Sequence, residues 1–336
     1  VRTDELDYAL PEELIAQRPA AHRDASRLLV HHRSGAIEHR HFDDLVDLLD
    51  PADLVVVNSS RVLRARVAVR RPTGGGGEVL LLEERPDGLW EALVRPSRRV
   101  RPGVALVALE EELEIEPVED LGEGRWLVRP SLEGAELSRV LERAGRLPLP
   151  PYIRDPAVPD ERYQTVYARR PGSAAAPTAG LHFTDALWQR LRARCEVVEV
   201  ELRVGLDTFR PVTAGTLEEH PMHSEAYRVE PAARTAILGA VAANRRVVCI
   251  GTTSVRVVET VADPAAPDEG RTSLLIAPGY RFRAMGALVT NFHLPRSTLL
   301  ALVMAHVGVE EARRIYAEAI RERYRFYSFG DASLLL

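Results

Sequence analysis

The chain of 336 residues is 46% hydrophobic and 28% charged, enough apolar material for one large core or two modest ones, and a composition that excludes disorder or a fibre. Its 44 basic groups are all arginine and face 49 acidic ones, for a net charge of -5, so a nucleic-acid partner would have to be held by a local arginine patch. Cys195 and Cys249 stand in apolar runs without pairing or metal spacing, and Asp4-Glu5-Leu6-Asp7 is not a basic leader. No apolar run approaches the roughly 18 residues of a membrane span, and the expectation is a cytoplasmic protein with reduced thiols, no disulfide and no membrane contact.

Taken in order, Pro11 to Ala16 reads as a helical segment with proline in its first turn and acids near its amino end. Arg23 and Asp24, ahead of a strand at Leu28 to Val30, read as a surface ion pair, with the lining of a cleft as the second reading. A helix from Phe42 to Leu49 precedes Asp53 to Arg61, a buried strand ending in four polar residues, Asn58 to Arg61. Polar groups at a strand end are where α/β proteins hold ligands.

From Val62 to Pro148 the texture changes. Strand-like runs at Glu78 to Glu83, Leu89 to Val94, Val104 to Leu109, Leu113 to Pro117 and Arg125 to Val128 are separated by turn residues at Gly74 to Gly77, Pro86 to Gly88, Arg101 to Gly103 and Gly122 to Gly124. This spacing predicts a small antiparallel barrel or sandwich, followed by a helix over 131–145 that returns to the main body. No helix follows Gly74 to Gly77, which therefore form a hairpin turn and not a phosphate loop. Arg95, Arg98, Arg99 and Arg101 make a basic edge, open to two readings: a solvated loop or a contact with an RNA backbone.

After an extended linker at Pro148 to Ile153, helix and strand patterns alternate. Strands are expected at Glu196 to Val204, Arg246 to Gly251, Ser273 to Ile276 and Ala287 to Thr290, with helices over 184–194, 231–243, 252–262, 297–305 and 309–323. The β region is thus an insert: a large mixed-sheet α/β domain made of 1–62 and 149–336 receives a small antiparallel β-barrel domain at 63–148.

Five polar clusters mark the α/β part. Ala176 to Thr184 is an irregular loop with His182, and Thr184 caps the next helix. Val204 to Pro211 and His220 to Glu225 follow; the second carries two histidines beside a carboxylate, without helical or cysteine-linked metal spacing, so proton transfer or ribose binding ranks above a metal. Cys249 to Arg256 runs from a buried strand through glycine into three hydroxyls at a helix start, with an arginine one turn in, a donor set that suits an anion or a carboxylate. Gly286 to Val303 joins strand, Asn291, His293, Pro295 and a Ser297-capped helix. No Gly-x-Gly-x-x-Gly after a strand, Walker loop, nucleophile elbow or zinc ligand set occurs.

Five stretches, Ala175 to Thr184 (AAPTAGLHFT), Glu219 to Glu225 (EHPMHSE), Gly251 to Arg256 (GTTSVR), Thr290 to Leu299 (TNFHLPRSTL) and Tyr324 to Asp331 (YRFYSFGD), resemble the S-adenosylmethionine:tRNA ribosyltransferase-isomerase family of queuosine biosynthesis. With Asp7-Tyr8 through Leu28 the likeness spans essentially the whole chain. It implies an α/β body with an inserted β-barrel, S-adenosylmethionine as co-substrate without a metal, and a tRNA anticodon loop as acceptor. The implied reaction moves the ribosyl carbons of the co-substrate onto the amine of 7-aminomethyl-7-deazaguanine at the wobble position, giving epoxyqueuosine and releasing adenine and methionine.

Such chemistry needs a base beside the sulfonium, an acid for the departing adenine and groups that hold the sugar. On the resemblance, His182, His223, Glu225 and His293 are the catalytic candidates. Thr178, Gly180, Thr252, Thr253, Ser254, Arg256 and Asn291 are the candidates for holding the co-substrate, and Asn58, Arg61 and Asp207 those for the acceptor. The chain departs from the family pattern at Arg203 and Asp207, at Ser59, and at Ala284-Met285, where a histidine, a glycine and two acids are usual. These departures raise an alternative acceptor, a small amine or nucleoside, and a third reading, an inactive RNA-binding relative. A monomer is expected.

Overall fold

The computed structural model describes residues 1–155, 158–205, 211–222 and 224–336. Chain order gives β1 (Arg27–His31), β2 (Ile37–His41), the short helix α1 (Leu45–Leu48) and β3 (Leu54–Asn58). Next come β4 (Ser60–Val62), β5 (Arg66–Arg70), β6 (Gly76–Glu84), β7 (Trp90–Arg95), β8 (Leu106–Ala108), β9 (Glu114–Gly122), β10 (Arg125–Pro130) and α2 (Gly134–Ala144). Then follow β11 (Arg170–Ser173), α3 (Asp185–Arg194), β12 (Glu196–Leu202), β13 (Glu225–Val229), α4 (Pro231–Ala242) and β14 (Val247–Ile250). The last are α5 (Thr252–Val261), β15 (Glu269–Thr272), β16 (Met285–Asn291), α6 (Thr298–Val307), α7 (Val309–Arg321) and β17 (Ala332–Leu335).

Contacts divide the chain into two compact units, one of Val1–Ser60, Pro150–Arg170 and Ala176–Leu336, the other of Arg61–Leu149 and Pro171–Ala175. The first is built on a nine-stranded mixed sheet ordered β15-β13-β12-β3-β14-β16-β17-β1-β2. Its centre, β12, β3, β14 and β16, is parallel. Strands covered on both faces must be apolar throughout, and Leu54 to Val57 and Val247 to Ile250 are all buried. On one face Leu187, Trp188 and Leu191 of α3 share a core with Val55, Val57, Val248, Ile250 and Val289; α5 packs against β12, β14 and β16.

The register aligns the carboxyl ends of these strands, with Val57 beside Ile250, Asn58 beside Val200 and Ile250 beside Val289. The chain lays β12 on one side of β3 and then returns to lay β14 on the other. That reversal opens a crevice beyond the strand ends.

The second unit is a closed antiparallel barrel of six strands, ordered β10-β7-β6-β5-β8-β9. Inward and outward residues alternate along it, as at Val67 and Val69 of β5, which are buried while Ala68 and Arg70 are exposed. Helix α2 buries Leu137, Val140, Leu141 and Ala144 on one stripe.

The α/β body with an inserted barrel is the fold expected from the strand spacing, with local corrections. Ser273 to Ile276 is not a strand: the strand is β15, just before it, and the Leu274 carbonyl accepts from Arg256 Nε at 3.1 Å while its N–H meets Thr272 Oγ1 at 3.3 Å. Its backbone is spent on side chains instead of a ladder. Pro11 to Ala16 holds only a three-residue 3-10 turn at Glu12–Leu14, because Ile15 is drawn into a parallel bridge with Phe326. Arg23 and Asp24 do not pair with each other; Arg23 donates to the Gln164 and Leu181 carbonyls, and Asp24 accepts from Thr184 Oγ1. No helix among the described residues is long and apolar enough to cross a membrane.

The entry of β16 is set by Glu259 of α5, 2% exposed. Its Oε1 accepts from the Ala284 and Met285 amides at 3.0 and 2.8 Å, and its Oε2 from the Arg283 amide at 2.8 Å and Tyr280 Oη at 3.1 Å. A carboxylate with four donors meets its desolvation cost, and removing it strands them. Glu259→Ala is expected to destabilise the first unit by about 3 kcal/mol, a fall in melting temperature of about 6 °C or more, with Glu259→Gln intermediate; a melting curve unchanged in Glu259→Ala would contradict this.

Candidate active site

The crevice is floored by the turn from β14 into α5. Gly251 makes that turn at φ 87°, in the region open to glycine, and a Cβ there would lie 3.6 Å from Ala179 Cβ. No side chain caps α5, which leaves first-turn amides for a ligand and gives the helix start a partial positive charge. Thr252 and Thr253 line a small pocket together with Thr178, Thr290 and His293. They also line an adjoining small pocket with Met222, Glu225 and Arg256.

Asn58 ends β3 fully buried and holds this edge together. Its Nδ2 donates to the Leu202 carbonyl at 3.0 Å and to Thr253 Oγ1 at 3.2 Å, and its Oδ1 accepts from the amides of Ser60 and Leu202 at 3.1 and 3.2 Å. Glu225 and Arg256 form a buried ion pair in which Arg256 Nη1 donates to Glu225 Oε2. Glu225 Oε1 takes the Gly205 amide at 2.8 Å, while Arg256 Nη2 donates to the Thr272 carbonyl at 3.1 Å. Burial pushes the Arg256 guanidinium down to about 10, which leaves it charged at neutral pH. Both ions are hydrogen-bonded beyond each other, the condition for a buried pair to persist.

His293 lies just past β16, 8% exposed. Thr290 Oγ1 sits 2.8 Å from its Nε2. Its backbone is clamped by two tyrosines: the Tyr8 hydroxyl donates to the His293 carbonyl, and the His293 amide donates to Tyr316 Oη at 3.0 Å. Burial pushes the imidazole down to about 3, so the ring is neutral at physiological pH. His182 is also held at about 3, by burial first and then by the positive charge of Arg325. Its Nε2 stands 3.1 Å from Asn291 Nδ2 and its ring 4.8 Å from that of Phe42. With Nε2 accepting from the amide, the proton rests on Nδ1. Asn291 Oδ1 is buried without a partner among the described residues.

Of the expected residues, the strand-end pockets gather Thr178, Thr252, Thr253, His293, Glu225 and Arg256, with Asn58 bonded to Thr253. His182 and Asn291 bond to each other and are not among the pocket-lining residues. The Ser254 hydroxyl turns back to the Ile250 carbonyl at 2.8 Å. Gly180 is a packing residue, since a Cβ there would stand 2.0 Å from Tyr167 Oη. Arg61 belongs to the barrel unit, where its Nη2 lies 3.4 Å from Glu142 Oε2. His223 and Asp207 lie outside the described residues. Sequence reasoning missed Thr290, although it stands inside a stretch already singled out, and assigned nothing to Tyr8 and Tyr316. Among the described residues no group of three or more His, Cys, Asp or Glu is placed to hold a metal ion.

Comparison with known proteins bears on this geometry. The family model described as queuosine biosynthesis protein matches residues 3–335. The chain is 55% identical over 339 residues to an S-adenosylmethionine:tRNA ribosyltransferase-isomerase of Rubrobacter xylanophilus, covering 100% of this chain and 98% of the relative. It is 51% identical to one from Anaeromyxobacter sp., covering 100% and 99%. The crystal structure of an S-adenosylmethionine tRNA ribosyltransferase from Thermotoga maritima superposes with a TM-score of 0.57 at 36% identity, over 99% of this chain and 100% of that one. A match over the full length in sequence and in fold leaves one assignment: the chain belongs to the queuosine biosynthesis protein family, that of the S-adenosylmethionine:tRNA ribosyltransferase-isomerases.

Proposed function

We propose that this enzyme moves the ribosyl moiety of S-adenosylmethionine, with isomerisation, onto the aminomethyl group of 7-aminomethyl-7-deazaguanine at the wobble position of tRNA. The products are epoxyqueuosine in the tRNA, adenine and methionine. The observation that carries this reading is a full-length family match in a chain whose hydroxyls, uncapped helix start and neutral imidazole meet at one crevice.

Each group has work it suits. Thr178, Thr252 and Thr253 offer hydroxyls to the sugar, and the first-turn amides of α5 suit the carboxylate of the methionyl part. His293 is neutral, so a ring nitrogen is open to a proton, at the cost of the low basicity that burial imposes until bound substrate changes its surroundings; its target is the acidic proton beside the sulfonium, with Thr290 fixing the ring. Tyr8 and Tyr316 position His293 through its backbone. His182 acts at one remove, holding Asn291, and the Glu225–Arg256 pair keeps the second pocket in shape. His223 and Asp207 keep the parts the resemblance implies, proton transfer for His223 and acceptor binding for Asp207.

Purified protein incubated with S-adenosylmethionine and tRNA bearing the aminomethyl base is expected to yield epoxyqueuosine by nucleoside mass spectrometry, one adenine per modified base. Adenine release with unmodified tRNA would overturn the acceptor. His293→Ala is expected to lower kcat about 10² to 10⁴-fold with S-adenosylmethionine affinity changed only a few-fold, and a variant of full activity would remove His293 from the chemistry.

The histidines also set a pH dependence. Both have folded values of about 3 against an ordinary 6.5, so below 6.5 the unfolded chain binds protons that the folded chain refuses. Stability is therefore full above that value and falls with pH, by up to about 1.4 kcal/mol per pH unit for each ring. Melting temperature should drop more steeply between pH 6.5 and 4.5 in the wild type than in His182→Gln; parallel curves would show that His182 is not held neutral.

A further inference from the structure

The arginines of this chain are mostly spoken for. Helix α7 alone pairs Arg313 with Glu310, Arg314 with Glu311 and Arg321 with Glu318, and in the barrel unit Arg66 meets Glu78, Arg129 meets Glu116 and Arg143 meets Glu111. The loop from β7 to β8 breaks the pattern. Its sequence Arg95-Pro96-Ser97-Arg98-Arg99-Val100-Arg101 holds four arginines and no acid. All four are exposed, and none has an ion-pair partner among the described residues, although acids are abundant in the same unit.

The loop is held in shape. Trp126, buried in the barrel wall, donates from Nε1 to Ser97 Oγ at 2.9 Å, the Val100 amide bonds the Ser97 carbonyl at 3.0 Å, and the Gly103 amide bonds the Pro117 carbonyl of β9 at 2.8 Å. Ser97–Arg99 is a 3-10 turn, with about three residues per turn, so Arg98 and Arg99 leave it in different directions and reach separate anionic groups. Arg95, Arg98 and Arg99 border a concavity whose one acidic lining residue is Glu123. Of the acids nearest in sequence, Glu91 lies within β7 and Glu110 to Glu112 lie beyond β8, where Glu111 is neutralised by Arg143. Val104, whose amide bonds the Arg101 carbonyl at 3.3 Å, is 41% exposed, so the patch is cationic and apolar together.

We infer that this barrel loop is a docking surface for the phosphate backbone of the tRNA. It rests on the tRNA reading of the function. A polyanion with regularly spaced charges is the partner that several separately aimed guanidinium groups on a fixed loop recognise, and the release of its counterions supplies the affinity. The exposed valine beside the cations suits the unstacked bases and ribose of a loop. In a chain of net charge -5, a local patch is the way to hold RNA at all.

The test uses the full chain, an unmodified tRNA transcript as probe and a salt series. The variant Arg95→Ala/Arg98→Ala/Arg99→Ala/Arg101→Ala is expected to bind about 30-fold more weakly or worse, with the slope of log K against log salt reduced by about 3. KM for tRNA should rise with kcat at saturating tRNA retained, the fourfold Arg→Lys variant should keep most of the binding, and Arg192→Ala, an exposed arginine of α3, should change nothing. Wild-type affinity and slope in the fourfold Ala variant would overturn the surface, and so would loss of binding to anionic phosphatidylserine vesicles with tRNA binding intact. Lost tRNA binding in that variant while the wild type makes no modified base would uphold the surface and overturn the reaction.

Discussion

Everything at the candidate active site depends on how four parallel strands end. A parallel strand buried on both faces must stop by handing its last polar groups to something, because water does not reach them. At β3 that duty falls to Asn58, whose side-chain amide joins the end of β12 to the first turn of α5 through three hydrogen bonds and takes the Ser60 amide with a fourth. The bond to Thr253 is the informative one, since it ties a threonine of the crevice to the sheet itself. The crevice is consequently as rigid as the core behind it, and rigid placement is what makes hydroxyls and amides useful to a reacting sugar.

Burial acts on charge as well as on shape. A sulfonium substrate would be repelled by an imidazolium, so a cleft that offers histidine to it gains from holding the ring neutral. Burial does this at His293. The cationic side chain of the second pocket, Arg256, is matched by Glu225 at its side. Positive charge is thus compensated in the pockets and left uncompensated on the β7–β8 loop of the barrel unit, a division that matches a cationic co-substrate and an anionic acceptor.

Much of this was legible in the sequence, for physical reasons that can be named. The barrel announced itself because short hairpins need Gly and Pro at their turns, and the strand-to-helix motifs because caps such as Thr184 and Ser297 are local: each accepts the amide three residues on. Long-range pairing was not legible. β17 is a four-residue apolar run whose neighbours, β16 and β1, lie far away in the chain, and such runs carry no period of their own. Asn291 was grouped with His293, yet the alternation of a strand turns Asn291 away from Thr290, and Thr290 is the one that lines the pocket. The partner of the Ala284 and Met285 amides was not legible either, because Glu259 reaches them from another element.

On the proposed reading, S-adenosylmethionine is opened at the ends of β3, β14 and β16. A crystal structure with S-adenosylhomocysteine bound, which keeps the nucleoside and amino-acid parts and lacks the reactive charge, tests it most directly. The account predicts the ribose against Thr252 and Thr253 with its sulfur side toward His293, and the carboxylate at the start of α5. Density for the ligand away from those residues, with the crevice filled only by solvent, would contradict it.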